Sequence, residues 1–157
     1  MKNQEFKSFL FRSAVIAMAC DGDIADSEIN TIRELASNEI YFLGLDYDDL
    51  LQANVNEIKS IGKIAINNYL SELSTFQLNT HQELQIIEVL LQIINADNQT
   101  EESELKFLHL VKSKLKVDQE TLIVEFPNNI DQLLDFKNYG LHCNTPLLLD
   151  QKVVLLS

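Results

Sequence analysis

The sequence predicts an all-α fold, a helical bundle, on three observations. Glycine (4) and proline (2) are scarce among 157 residues, so the chain has few places to punctuate many short strands. Apolar residues recur at three- and four-residue spacing in one segment after another. A pattern of apolar helix, acidic turn and amphipathic helix occurs twice, at residues 14–35 and 84–111. A chain of this length buries a real core without disulfides or metal as staples. The expected organisation is a helical domain over residues 1–126, with a C-terminal extension, 127–157, packing on or beside it.

Residues 4–20 place Phe6, Phe9, Leu10, Ala14, Ala17 and Met18 at helical spacing, and Phe11, Val15 and Ile16 widen the stripe, so this helix is expected to be buried on most sides. Residues 26–37 carry the narrower stripe Ile29, Ile32, Leu35 and Ala36, with Asn30, Arg33 and Glu34 on the wet face. Gly44 and the Asp46, Asp48, Asp49 cluster mark a break, and Asp46 or Asp48 is expected to cap a third helix running to about Lys59. Ile61, Ile64, Ala65, Tyr69, Leu70 and Leu73 form a fourth, with Gly62 either interrupting it or absorbed. Thr80 is expected to cap a fifth, 81–96, whose Leu84, Ile86, Ile87, Val89, Leu90, Leu91, Ile93 and Ile94 leave little polar face. This helix and the first should be the two most buried. A sixth follows from about Glu101 to Leu115, and a shorter one from Asp118 to Phe126 stops at Pro127. Ile130 to Tyr139 is expected to form one more helix, and the apolar tail Leu147–Leu156 follows Pro146. Tyr41, Phe42 and Tyr47 either line a partner groove or, the reading preferred here, join the core where helices meet.

The formal charge of −12, from 12 basic and 24 acidic residues, repels phosphate backbones and anionic membranes and favours cations or basic protein surfaces. Nucleic acid is therefore not an expected partner. Cys20 and Cys143 read as one buried small hydrophobe and one tail thiol, which places the chain in a reducing cytoplasm. The start MKNQEFKSFLFRSAVIAMAC has a basic end and a small-residue run closing on Cys20, as a lipoprotein signal would. Glu5 and Arg12 interrupt it, and the same helix-then-acid pattern returns at 84–104, so a mature folded helix is expected. No segment reaches the roughly 18 apolar residues that span a bilayer.

The repeat aligns residues 20–28, CDGDIADSE, with residues 96–104, ADNQTEESE. Asp21 meets Asp97 and Glu28 meets Glu104 at an offset of 76, and Ile29, Ile32 and Leu35 meet Leu105, Leu108 and Val111. Each octet, 21–28 and 97–104, holds four acids and no base. Eight of the 24 acids thus occupy 16 of 157 positions, a clustering beyond general acidity. Two such copies suggest two helical hairpins about a pseudo-two-fold axis. Spacing alone does not decide whether the acidic turns lie at the same end of the bundle.

The two copies, Ala19-Cys20-Asp21-Gly22-Asp23 with Glu28 and Asn95-Ala96-Asp97-Asn98 with Glu104, resemble the TerB-like domains of tellurite-resistance systems and of related stress and co-chaperone proteins. The family pattern is an apolar helix ending in Ala-Asp-Gly, an acidic turn and a helix opened by Glu, usually present twice. The resemblance covers about residues 6–118. It implies an all-helical fold without an established reaction, and a divalent metal, calcium or magnesium, held by Asp21, Asp23, Glu28, Asp97 and Glu104. Asn98 stands where the family has Gly, and Gln99 replaces the acid matched by Asp23, so the second site would be the weaker.

The same residues have a second, purely structural reading. Asp21 and Asp97 can accept their own turn N–H groups, and Gly22 and Asn98 tolerate positive φ. Glu28 and Glu104 fall near the third helical position, where a carboxylate meets free N–H groups. Both readings are open from sequence. Neither octet is an EF-hand, because the twelve-residue loop with its mid-loop Gly and terminal Glu is absent.

Other chemistry is weaker. His81, His109 and His142 with Cys143 share no zinc spacing, and the four glycines form no phosphate loop. A catalytic carboxylate pair needs one desolvated member in a cleft, and these acids sit in polar turns. The expected function is a non-catalytic TerB-like interaction module of a stress-response or defence pathway, sensitive to divalent cations. Its partner would be a protein, membrane-associated or free, with no direct membrane insertion. A divalent-metal-binding protein using the two acidic turns is the alternative, and a carboxylate-dependent hydrolase comes third.

Overall fold

A computed structural model describes residues 3–96 and 101–134. Every regular element in these residues is helical, as the scarcity of Gly and Pro predicts. The order is α1 (Asn3–Met18), α2 (Asp26–Asn38), a 3-10 turn (Ile40–Phe42), α3 (Tyr47–Ile61), α4 (Ile64–Thr75), α5 (Thr80–Ile94), α6 (Glu102–Lys114), α7 (Gln119–Glu125), a second 3-10 turn (Pro127–Asn129) and α8 (Ile130–Leu134). The chain divides into two compact units, 1–118 and 119–157.

The first unit is built on α1 and α5, which pack together more extensively than any other pair of elements. Their cores are continuous apolar faces. Phe11, Ala14, Val15 and Ile16 of α1 and Ile86, Ile87, Val89, Leu90 and Ile94 of α5 are wholly removed from solvent. Removing each large aliphatic side chain from water is worth about 1.5–3 kcal/mol. α2 and α3 pack on α1, α4 on α3 and α6, and α6 on α5. The central placement of the first and fifth helices follows the expectation drawn from their wide apolar stripes.

Local chemistry fixes the element ends, sometimes differently from the sequence reading. The cap of α5 is Asn79, not Thr80. Its side chain accepts the Gln82 N–H at 2.8 Å while the Gln82 side chain accepts the Asn79 N–H at 3.0 Å, a reciprocal pair that a Thr one residue later is not positioned to make. Asp46 precedes α3 as expected but makes no side-chain capping bond, and α3 runs on to Ile61. Gly62 ends it, with φ +57° and its N–H on the Ile58 carbonyl at 2.8 Å, so the third and fourth helices are separate.

The aromatic residues split. Phe42 is buried edge-on to Phe11, and Tyr47 is half-buried at a tilt to the same ring. Tyr41 is half-exposed, and its hydroxyl donates to the Glu88 carboxylate of α5. Tyr69 is fully buried; its hydroxyl pairs with Ser13 Oγ at 2.6 Å and its ring stacks on Phe9, so burial pushes the phenol's pKa upward.

In the second unit the Phe126 N–H closes α7 on the Leu122 carbonyl at 2.9 Å, and Asn129 Nδ2 donates to Gln132 Oε1 at 2.9 Å. α8 starts at Ile130 as expected. The remainder of the predicted helix to Tyr139, the tail Leu147–Leu156, His142 and Cys143 lie outside the described residues. Among the described residues no helix is long and apolar enough to cross a membrane.

Candidate functional site

The two acidic turns meet. A pocket of about 220 Å³ is lined by Met18, Cys20, Asp21, Ser27, Glu28 and Thr31 from the first copy and by Ile93, Ala96, Glu101, Ser103 and Glu104 from the second. α1 and α5 deliver their C-terminal ends to the same side of the bundle, and each is followed by its acidic octet. Four carboxylates, Asp21, Glu28, Glu101 and Glu104, therefore face one space, and among the described residues its lining contains no Lys, Arg or His.

The turns are shaped by the bonds that the structural reading anticipates. Asp21 Oδ1 accepts the Asp23 N–H at 3.0 Å, and Asp23 Oδ1 accepts the Ile24 N–H at 2.9 Å. Gly22 between them has φ +94°, and a Cβ there would sit 2.8 Å from Lys63 Cγ. Glu28 Oε1 accepts the Ala25 N–H at 2.8 Å, and Glu104 Oε1 accepts the Glu101 N–H at 3.0 Å. These two glutamates, 76 residues apart, do the same work at the starts of α2 and α6. Each satisfies a backbone donor that the helix leaves open and places negative charge where the helix dipole favours it.

Crowding leaves an electrostatic mark. Burial raises the pKa of Glu28; the Ala25 N–H opposes the rise, and the charges of Asp21, Glu101 and Asp23 add to it. Glu101 belongs to the other copy, so the two octets act on each other. Cys20 shares the pocket, its thiol 3.7 Å from Ser103 Oγ. Burial pushes that thiol up to about 11; the Ser103 contact works against the rise, and Glu104 and Asp21 reinforce it.

Of the five residues singled out for metal, Asp21, Glu28 and Glu104 line the pocket. Asp23 is not among its lining residues and turns its carboxylate to its own loop. Asp97 lies outside the described residues. Calcium takes six to eight oxygens at about 2.3–2.6 Å. Among the described residues no three Asp, Glu, His or Cys side chains converge as such a set. Glu28 and Glu104 each hold one carboxylate oxygen on a helix start.

Glu101, Cys20 and Ser103 join the site although the sequence pattern does not mark them as ligands. Glu101 carried a sequence signal, as one of the four acids of the second octet. Cys20 and Ser103 carried none, since only the packing of α1 beside α6 brings them together.

No curated protein and no solved structure gives a significant match to this chain. Among known families, that described as tellurite resistance protein TerB matches residues 10–124, close to the span of about 6–118 carried by the motifs. With nearly three quarters of its length in that match, and an all-α fold in the described residues, the chain belongs to the TerB family.

Proposed function

We propose that the protein is a non-catalytic interaction module of a stress-response or defence pathway of the tellurite-resistance type, working in the cytoplasm, and that its acidic pocket receives cationic groups of a protein partner. The observation that carries this reading is the convergence of Asp21, Glu28, Glu101 and Glu104 on one pocket, with no basic residue among the described residues of its lining. Such a concentration of like charge is costly in the free protein and is relieved by a cation brought from outside. Hydrolysis by the carboxylates is a weaker reading, since Glu28, whose pKa is raised, is tied to the Ala25 N–H rather than free to move a proton.

The test is a pull-down from the native host with Asp21→Asn and Glu101→Gln together. Asn keeps an oxygen for the Asp23 N–H and Gln keeps one at the start of α6, so the turns are preserved. The parent should recover a partner that the variant loses, and added salt should weaken the recovery. Equal recovery by the two proteins overturns the reading.

A second reading, binding of calcium or magnesium by the acidic turns, is favoured by the repulsion between Glu28 and its acidic neighbours. The ion would have to draw Glu28 or Glu104 from its helix start. Calorimetry on metal-stripped protein should then show a melting temperature that rises with the ion by mass action, and no rise in the Asp21→Asn, Asp23→Asn variant. A parent protein indifferent to calcium, magnesium and manganese retires the metal.

A further inference from the structure

A second surface, apart from the acidic pocket, combines exposed apolar side chains with carboxylates. An open groove of about 630 Å³ runs between α1, α3 and α4, lined by Glu5, Ser8, Phe9 and Arg12 of α1, Leu50, Ala53, Asn54 and Glu57 of α3, Glu72 of α4, and Phe76 after it. Leu50 and Phe76 are half-exposed and Ala53 is exposed, so apolar surface meets water along the floor. Phe76 is held edge-on against the buried Phe9, which fixes the floor's shape.

Polar contacts tie the groove's three helices together. Arg12, mostly buried, donates to Asn54 Oδ1 at 2.6 Å, to Glu57 Oε1 at 2.7 Å and to Glu72 Oε1 at 3.0 Å, joining all three helices. The glutamates outweigh the burial of Arg12 and raise its pKa, so it stays charged. Among the described lining residues the one cation, Arg12, stands against Glu57 and Glu72, with Glu5 beside them, so the rim keeps net negative charge around an apolar floor. Glu5 and Arg12 are seven residues apart on α1, about 10 Å of helix, or two turns of a partner laid alongside.

We propose that this groove docks a basic amphipathic helix of a partner protein, with apolar side chains on Leu50, Ala53 and Phe76 and Lys or Arg side chains toward Glu57 and Glu72. The charge of the rim selects the sign of the partner, and the apolar floor selects an amphipathic rather than a merely basic segment. The proposal rests on the reading of the protein as an interaction module, but on different residues from those of the acidic pocket.

The experiment uses the full chain and two synthetic helical peptides of the same length and apolar face, one with lysines and one with glutamates on the polar face. The lysine peptide should bind at least tenfold more tightly. Ala53→Glu fills the floor while making the protein more acidic, so docking in the groove requires that it weaken the lysine peptide at least tenfold, with an unchanged melting temperature. Binding to Ala53→Glu as tight as to the parent, or tighter, means general charge attraction and overturns the groove. The companion Ala53→Leu, which adds bulk without charge, should also weaken binding, and an undiminished affinity there overturns it too. Asp21→Asn with Glu101→Gln should leave peptide affinity within twofold; if it falls tenfold instead, the peptide sits in the acidic pocket, which supports the module and overturns the groove.

Discussion

The carboxylate of Glu83 and the backbone of Val117 are 34 positions apart in sequence and joined by a 2.8 Å hydrogen bond, Val117 N–H donating to Glu83 Oε1. Lys116 N–H donates to the same carboxylate, 3.1 Å from each oxygen. Glu83 is 4% exposed, in the first turn of α5. A charged residue is thus buried to receive the chain as it leaves α6, satisfying two donors beyond the helix end. Glu83→Ala should strip both acceptors and destabilise by about 1–3 kcal/mol, with Glu83→Gln losing less because an oxygen remains. Urea denaturation of the three proteins checks the order.

Arg12 makes unequal ion pairs. Glu57 is 28% exposed and Glu72 49%, so solvent screens the second far more. Glu57→Gln should therefore cost more than Glu72→Gln, whose effect should stay below about 1 kcal/mol. Arg12→Ala should exceed both, since it also leaves the buried Asn54 side chain without its donor.

Core and surface should separate cleanly. Leu90 is wholly buried, and Leu90→Ala should cost about 2–5 kcal/mol. Ala17→Asp places a carboxylate at a position 1% exposed on α1 and should prevent folding, as circular dichroism would report. Glu34→Ala, on the exposed face of α2, should stay within about 0.5 kcal/mol.

Glu28 gives the protein a pH signature. Its folded pKa is raised, so the folded state holds the proton more tightly than the unfolded chain. The contribution to stability is fully present below the ordinary glutamate range and is lost as pH rises through the folded value. Glu28→Gln keeps an oxygen for the Ala25 N–H and removes the charge. It should leave stability at neutral pH equal or higher and flatten this part of the profile, measured by thermal melts across the acid range.

Cys20 should be a slow nucleophile. With its thiol pushed up to about 11, the thiolate is scarce at pH 8. Alkylation at Cys20, followed by mass spectrometry of that peptide, should run ~100-fold slower than for an unperturbed thiol and keep accelerating well above pH 9. Asp21→Asn should speed it modestly, by removing one of the charges that disfavour the thiolate.

What the sequence determined by itself was local and periodic. The stripes of 4–20 and 81–96 marked the two central helices because a helix apolar on most sides has nowhere else to go. The octets marked helix starts because Glu28 and Glu104 carry the spacing that a backbone donor requires, and their recurrence at an offset of 76 carried the family. Where a cap depends on which of two adjacent residues turns its side chain, as with Asn79 and Thr80, the pattern fell one residue short. Tertiary structure alone decided what no spacing encodes. The packing of α1 against α5 brought both acidic turns to one pocket, made Glu101 a neighbour of Glu28, and set Cys20 against Ser103. The crossing of α1, α3 and α4 gave Arg12 three acceptors and left a groove beside them, and the return of the chain after α6 gave the buried Glu83 its partners. Each is a contact between segments more than 30 residues apart. Such contacts are set by how apolar faces fit together, which periodicity orients and only packing resolves.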